Sequence, residues 1–102
     1  MIAATPPQSI HVTPAIVRRG GHVTVYGNAD GCPRGDTVTV LSRAFAGPGF
    51  AGIGGAGGPV RAGGAFSVRV TIARGAAPGR YVVTARCGGG TLAVSAHVVV
   101  RR

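Results

Sequence analysis

The chain contains no lysine, no glutamate and no tryptophan, and its only acidic residues are Asp30 and Asp36. Without Glu or Lys, most of the usual general acids, general bases and Schiff-base amines are missing. The two Asp fall in turn-like sequence, and no nucleophile–base spacing recurs. No enzymatic activity is expected. Apolar runs are short throughout, and none approaches the length of a membrane-spanning helix. The sequence has neither a CxxC pair nor a Cys/His cluster, so it carries no zinc or dithiol redox motif. No cofactor is expected either.

What the chain does have in quantity is arginine, glycine and small β-branched residues. All 11 basic residues are Arg, and the formal net charge is +9. Such a field attracts polyanions, among them nucleic acid and acidic wall polymers. A GC-rich genome would also favour Arg together with Gly, Ala, Pro and Val. Arg18, Arg19, Arg43, Arg61, Arg69, Arg74, Arg80, Arg86, Arg101 and Arg102 are spread along the whole sequence. Nucleic-acid binders concentrate their charge and interleave aromatics for stacking, so no specific nucleic-acid partner is expected.

A length of 102 residues is that of one domain. Such a chain buries roughly two-thirds of its unfolded surface, which leaves a thin core. Cys32 and Cys87 form an even pair in a small Gly-rich chain, which predicts a disulfide and an oxidising compartment. The opening Met1 to Gln8 resembles a mature N-terminus in which a start methionine has replaced an export signal, and is expected to be flexible over 1–8.

Hydrophobicity alternates with period two along most of the remainder, which predicts strands. In Phe66-Ser-Val-Arg-Val-Thr-Ile72, the residues Phe66, Val68, Val70 and Ile72 point one way and Ser67, Arg69 and Thr71 the other. Tyr81, Val83, Ala85 and Cys87 repeat the pattern, as do Leu92, Val94, Ala96, Val98 and Val100. Ile10 with Val12, Val23 with Val25, and Val38 with Val40 give three more strands, and Ala15–Val17 a short seventh. Pro14, Gly20-Gly21, the Asn28–Gly35 stretch, Ala76-Ala-Pro-Gly79 and Gly88-Gly-Gly90 separate them. No helix of useful length is visible.

From Ala44 to Gly64 the rhythm breaks into AFAGPGFAGIGGAGGPVRAGG, a long loop or an irregular edge hairpin. Phe45, Phe50 and Ile53 stand out there as candidate partner-binding residues. Two arrangements are open: the insert projects and exposes them as a contact patch, or the rings fold back over a sheet edge or the open end of a sandwich. Arg34-Gly35-Asp36 is an integrin-type tripeptide, although Gly35 equally suits a tight turn. His11, His22 and His97 fall on outward faces of separate strands, so no metal site is expected.

Ser9–Pro14, Gly20–Gly27, Gly31-Cys-Pro-Arg-Gly35 followed by Thr37–Val40, Gly64–Ile72, Pro78-Gly-Arg-Tyr81 and Ala85-Arg-Cys87 occur in a recognisable order. That order resembles the immunoglobulin-like domains of secreted and cell-surface actinobacterial proteins. The resemblance implies an all-β, two-sheet immunoglobulin-like sandwich of about seven strands over 9–102, with the Gly/Ala-rich loop 44–64 inserted. It places Cys32 and Cys87 at the same end of the sandwich. Tyr81 resembles a structural corner tyrosine whose hydroxyl ties back to loop backbone. The function implied is a non-catalytic extracellular spacer, adhesin-like or partner-binding module. Its partners would be a protein or cell-wall polymer at the bacterial surface, or further copies of itself. The strand pattern is also similar to the chromophore-carrying apoproteins of actinomycetes, seven-stranded sandwiches with a ligand cleft. This second resemblance implies small-ligand carriage, and the chain departs from it in being basic and in having one cysteine pair.

Overall fold

A computed structural model describes residues 8–47, 53–88 and 90–102. The strands are β1 (Ser9–Thr13), β2 (Ile16–Arg18), β3 (His22–Asn28), β4 (Thr37–Ser42), β5 (Gly54–Pro59), β6 (Ala65–Thr71), β7 (Gly79–Cys87), β8 (Gly90–Thr91) and β9 (Ala96–Arg101). The only helical turn among the described residues is a 3-10 turn at Ala62–Gly64.

The strands form two sheets. The smaller has the order β1-β3-β6, and the larger β2-β9-β7-β4-β5, with β8 paired to the end of β7. All pairings are antiparallel except that of β2 with β9. Thr13 is the last residue of β1 in register with β3, because Pro14 has no N–H to continue the ladder. The chain then crosses to the other sheet, where the Val99 N–H donates to the Ala15 carbonyl at 2.8 Å.

Period-two alternation turns one row of side chains from each sheet toward a common interior. Ile10, Val23, Val25, Phe66, Val68 and Val70 from the smaller sheet meet Val38, Val40, Val83, Ala85, Val98 and Val100 from the larger. Valine dominates because a branched side chain packs well on a pleated surface with little rotamer freedom to lose. Each fully buried valine stabilises the fold by about 1.5–3 kcal/mol relative to an exposed one.

Several expectations are corrected here. Leu92 to Ser95 do not join β9, although Leu92 is buried and its N–H bonds the Ala85 carbonyl. The reason is a side chain from elsewhere: the Ala93 N–H donates to Gln8 Oε1 at 2.7 Å, in place of a neighbouring strand. Gln8 also donates through Nε2 to the Asp30 carbonyl, so the last residue of the 1–8 segment is pinned at both ends of its amide. The rest of that segment lies outside the described residues.

Of the two arrangements open for the insert 44–64, its described residues give an edge hairpin. Its returning arm is β5, with sequence GGAGGP, which pairs with β4 over six positions from Thr37↔Pro59 to Ser42↔Gly54. Composition hides this strand, since glycine is a poor strand former. Close backbone approach explains the choice: a Cβ on Gly54 would strike the Phe45 carbonyl, and one on Gly55 the Val40 carbonyl. On its other side β5 lies against β6, where a Cβ on Gly58 would stand 2.9 Å from Val68 Cγ2. The glycines let the edge of one sheet close over the edge of the other.

Candidate functional site

The outer faces of the two sheets differ in chemistry. On the smaller sheet, cross-strand rows carry His11, Tyr26 and Ser67, then Thr13, Thr24 and Arg69, then His22 and Thr71. This is a polar, solvated face. On the larger sheet, Ile16, Val99 and Arg80 form one row, His97 and Val82 the next, and Thr84, Leu41 and Gly55 another. Ile16 and Val82 are 50% and 51% exposed, which makes them two of three large hydrophobic side chains left in solvent among the described residues. An apolar band therefore crosses the outside of the larger sheet.

At one end of that band the surface is hollow. The cleft has a volume of about 460 Å³ and is lined by Leu41, Ser42, Arg43 and Ile53 on the β4–β5 side. Arg80, Tyr81, Val82 and Thr84 of β7 form the opposite wall. Its shape follows from the glycine strand. Leu41 faces outward by register, yet it is only 7% exposed. Its side chain lies over Gly55, where a Cβ would stand 2.8 Å from Leu41 Cδ2. With no side chain on Gly55, Leu41 lies flat and forms an apolar floor. Ser42 beside it is also buried, its hydroxyl accepting from the Ala44 N–H at 3.2 Å. Volumes of roughly 300–1,000 Å³ are typical of small-molecule sites.

The residues singled out from sequence divide among different places. Phe45 is 4% exposed and sits in the main core, bridged to Ile72 at the end of β6. The Ala46 N–H donates to Thr71 and the Ala73 N–H to Ala44, which stitches this segment across the two sheets. Phe45 therefore closes the open end of the sandwich and presents no contact surface. Ile53 is half-buried and lines the cleft. Phe50 lies outside the described residues.

Tyr81 is half-buried against the core: its hydroxyl donates to the Ala77 carbonyl four residues back, and the residue borders the cleft between Arg80 and Val82. Cys32 and Cys87 are joined with Cα atoms 6.1 Å apart, at the end of the sandwich remote from Phe45. The bridge ties the β3–β4 loop to the end of β7. Arg34-Gly35-Asp36 forms a turn beside it, with Gly35 at φ 91° and its N–H donating to the Val60 carbonyl. Only glycine adopts that backbone at no steric cost.

A second hollow of about 190 Å³ lies at this end, lined by Gln8, Asp30, Gly31, Cys32, Cys87 and Leu92. The Asp36 carboxylate and the two sulfurs lie within 4.8 Å of one another, but the sulfurs are consumed by the bridge and hold no metal.

The histidines do not converge. His11 pairs in register with Tyr26 and stacks on it with ring centroids 5.2 Å apart. His22 Nδ1 and Thr71 Oγ1 share a 3.0 Å hydrogen bond, and His97 lies in the other sheet.

The cleft itself was not visible in the sequence. Its floor depends on Leu41, which breaks the alternation by being apolar directly after Val40, and on a glycine that belongs to a distant segment. The doublet Val40-Leu41 was the one local sign that both faces of β4 are covered.

The chain matches no protein-family model and no curated protein. Solved structures that it is similar to in fold include the following two. Macromomycin superposes with a TM-score of 0.62 at 19% identity, over 92% of this chain and 99% of that chain. The alkylpurine DNA glycosylase AlkC of Pseudomonas fluorescens, solved with DNA containing an abasic site analog, gives a TM-score of 0.59 at 22% identity. That match covers 92% of this chain but only 29% of the glycosylase, so the chain spans less than a third of that enzyme's length. At these identities the likeness is one of architecture: an all-β sandwich of two sheets.

Proposed function

We propose that this chain is a non-catalytic carrier of a small apolar ligand, working in an oxidising, extracellular compartment. The observation that carries the reading is the cleft between β4 and β7. Above a Leu41 floor that is itself nearly covered, its Ile53 and Val82 walls lie on the outside of the finished sandwich and leave apolar surface open to solvent. Apolar groups left in a concave surface are a cost to solubility unless a ligand covers them. The resemblance of the strand pattern to chromophore-carrying apoproteins supports the same reading, and so does the disulfide, which belongs to compartments outside the reducing cytosol.

Fluorescence titration with the neutral probe N-phenyl-1-naphthylamine tests it. The folded protein should enhance the probe's emission saturably, and Val82→Asp should abolish that enhancement while leaving the far-ultraviolet circular dichroism unchanged. Val82 is half exposed, so the folded state tolerates the charge. No enhancement by the parent protein, or equal enhancement by the variant, would end the carrier reading.

A second reading is the spacer or partner-binding module at a bacterial surface. It is favoured by the exposed Ile16 and Val82 on one sheet face, and by the occurrence of this architecture as under a third of a larger protein. In that case a protein, a wall polymer or a second copy would cover the band. Light scattering across a concentration series separates the self-association form, because a carrier stays monomeric.

A further inference from the structure

We infer that the ligand of this cleft is an amphipathic acid: an apolar body carrying one anionic group, such as a carboxylate or sulfonate. The inference rests on the carrier reading and adds the chemical class.

The apolar part of the match is Leu41, Ile53 and Val82. The ionic part is Arg43 and Arg80, both exposed and both lining the same cleft. No Asp or Glu lines it. Among the described residues neither guanidinium has an ion-pair or hydrogen-bond partner.

The remaining question is whether the protein's own carboxylates neutralise these cations from a distance. They do not. Asp36 lies beside the disulfide, with its carboxylate within 4.8 Å of the sulfurs, and Asp30 lines the hollow at that same end. Arg80 is seven residues from Cys87 along β7, and Arg43 and Asp36, seven residues apart, flank the opposite ends of β4. At about 3.3 Å per residue both separations are roughly 23 Å. Screening in physiological salt acts over about 8 Å, so the two carboxylates are electrostatically absent from the cleft.

Further positive charge does reach it. Arg18 and Arg101 are register partners on this same outer face, and Arg101 is two residues from Val99, the partner of Arg80. Cations held side by side raise each other's free energy, and an anion placed among them relieves that repulsion. Guanidinium groups also offer paired N–H donors that match the geometry of a carboxylate or sulfonate.

Charge alone would suit a polyanion. The position of these two arginines on the rim of a hollow walled by Leu41, Ile53 and Val82 favours a small molecule with a hydrophobic body.

A matched pair of probes tests this. 8-Anilino-1-naphthalenesulfonate and N-phenyl-1-naphthylamine share one apolar skeleton and differ by the sulfonate. The parent protein should bind the sulfonate at least tenfold more tightly in low salt, with the advantage shrinking as sodium chloride is raised. The variant R43Q/R80Q should lose that advantage and keep its affinity for the neutral probe. The variant R61Q/R69Q removes the same two charges from surfaces outside the cleft and should behave like the parent.

Equal loss in both variants would assign the preference to overall net charge and overturn the inference. Equal affinity of the parent for both probes would overturn it while leaving the carrier reading in place. Displacement of the sulfonate probe by dextran sulfate at equal charge concentration, with no effect on the neutral probe, would overturn it in favour of a polyanion. Failure of the neutral probe to bind would remove the carrier reading, and this inference with it.

Discussion

Replacing both cysteines by serine (Cys32→Ser with Cys87→Ser) should cost this protein a large share of its folding free energy. The bridge closes a sequence separation of 55 residues. In the chain-entropy treatment, a loop of that length removes about 14 cal/mol/K from the unfolded ensemble, or about 4 kcal/mol at 25 °C. A domain of 102 residues has roughly 5–15 kcal/mol to lose. The valine core cannot make up the difference, because it is small-residue packing with three phenylalanines in the whole chain. The assay is urea unfolding of the parent and the double variant, followed by far-ultraviolet circular dichroism. The variant's midpoint should fall, and its m-value should rise, because an uncrosslinked unfolded chain exposes more surface. By heat, the same loss corresponds to a drop in Tm of roughly 15–30 °C. A stability difference below about 1 kcal/mol with an unchanged m-value would refute the reasoning. It would mean that the β3–β4 loop and the end of β7 are held together in the unfolded chain without sulfur.

Three other outcomes follow from the geometry. Val82 and Val83 are neighbours on opposite faces, 51% and 0% exposed, so Val83→Ala should cost about 2 kcal/mol by cavity formation and Val82→Ala less than about 0.5 kcal/mol, read by chemical denaturation. Val82→Ala should instead weaken binding of the neutral probe. Gly54→Val should destabilise by about 3 kcal/mol or prevent folding, because its Cβ would strike the Phe45 carbonyl, whereas Gly75→Ala meets nothing within 4 Å and should be neutral or slightly stabilising. Tyr81→Phe removes the hydroxyl that donates to the Ala77 carbonyl and should lower stability by about 1 kcal/mol, with the core signals in a two-dimensional NMR spectrum otherwise unmoved.

The contrast between Val82 and Val83 shows how much of the molecule is written locally. Once a segment is extended, alternate side chains must point to opposite faces, so Phe66, Val68, Val70, Val83, Ala85, Val98 and Val100 declare themselves as core from their spacing alone. Pro14, with no N–H, marked the end of β1, and an even pair of cysteines in a small chain foretold the bridge. The glycine arm escaped such signals. A strand of GGAGGP has no side-chain pattern to read, and its place at the sheet edge depends on the carbonyls of Phe45 and Val40 lying close beneath it.

Phe45 and Leu41 mark the boundary between the two kinds of information. An aromatic ring in a glycine-rich insert has no local preference for core over solvent. Ring burial is decided by the gap left between the sheets where β4 and β6 end, which exists only after both have paired. Leu41 likewise becomes a cleft floor because Gly55, 14 residues away, arrives opposite it with no side chain. The sequence by itself determined the strands, their buried faces, the staple and the excess of positive charge. Tertiary structure alone decided which outer face stays apolar, where it becomes concave and which arginines stand at its rim. Those properties belong to pairs of segments brought together by sheet register, and no single stretch of chain carries them.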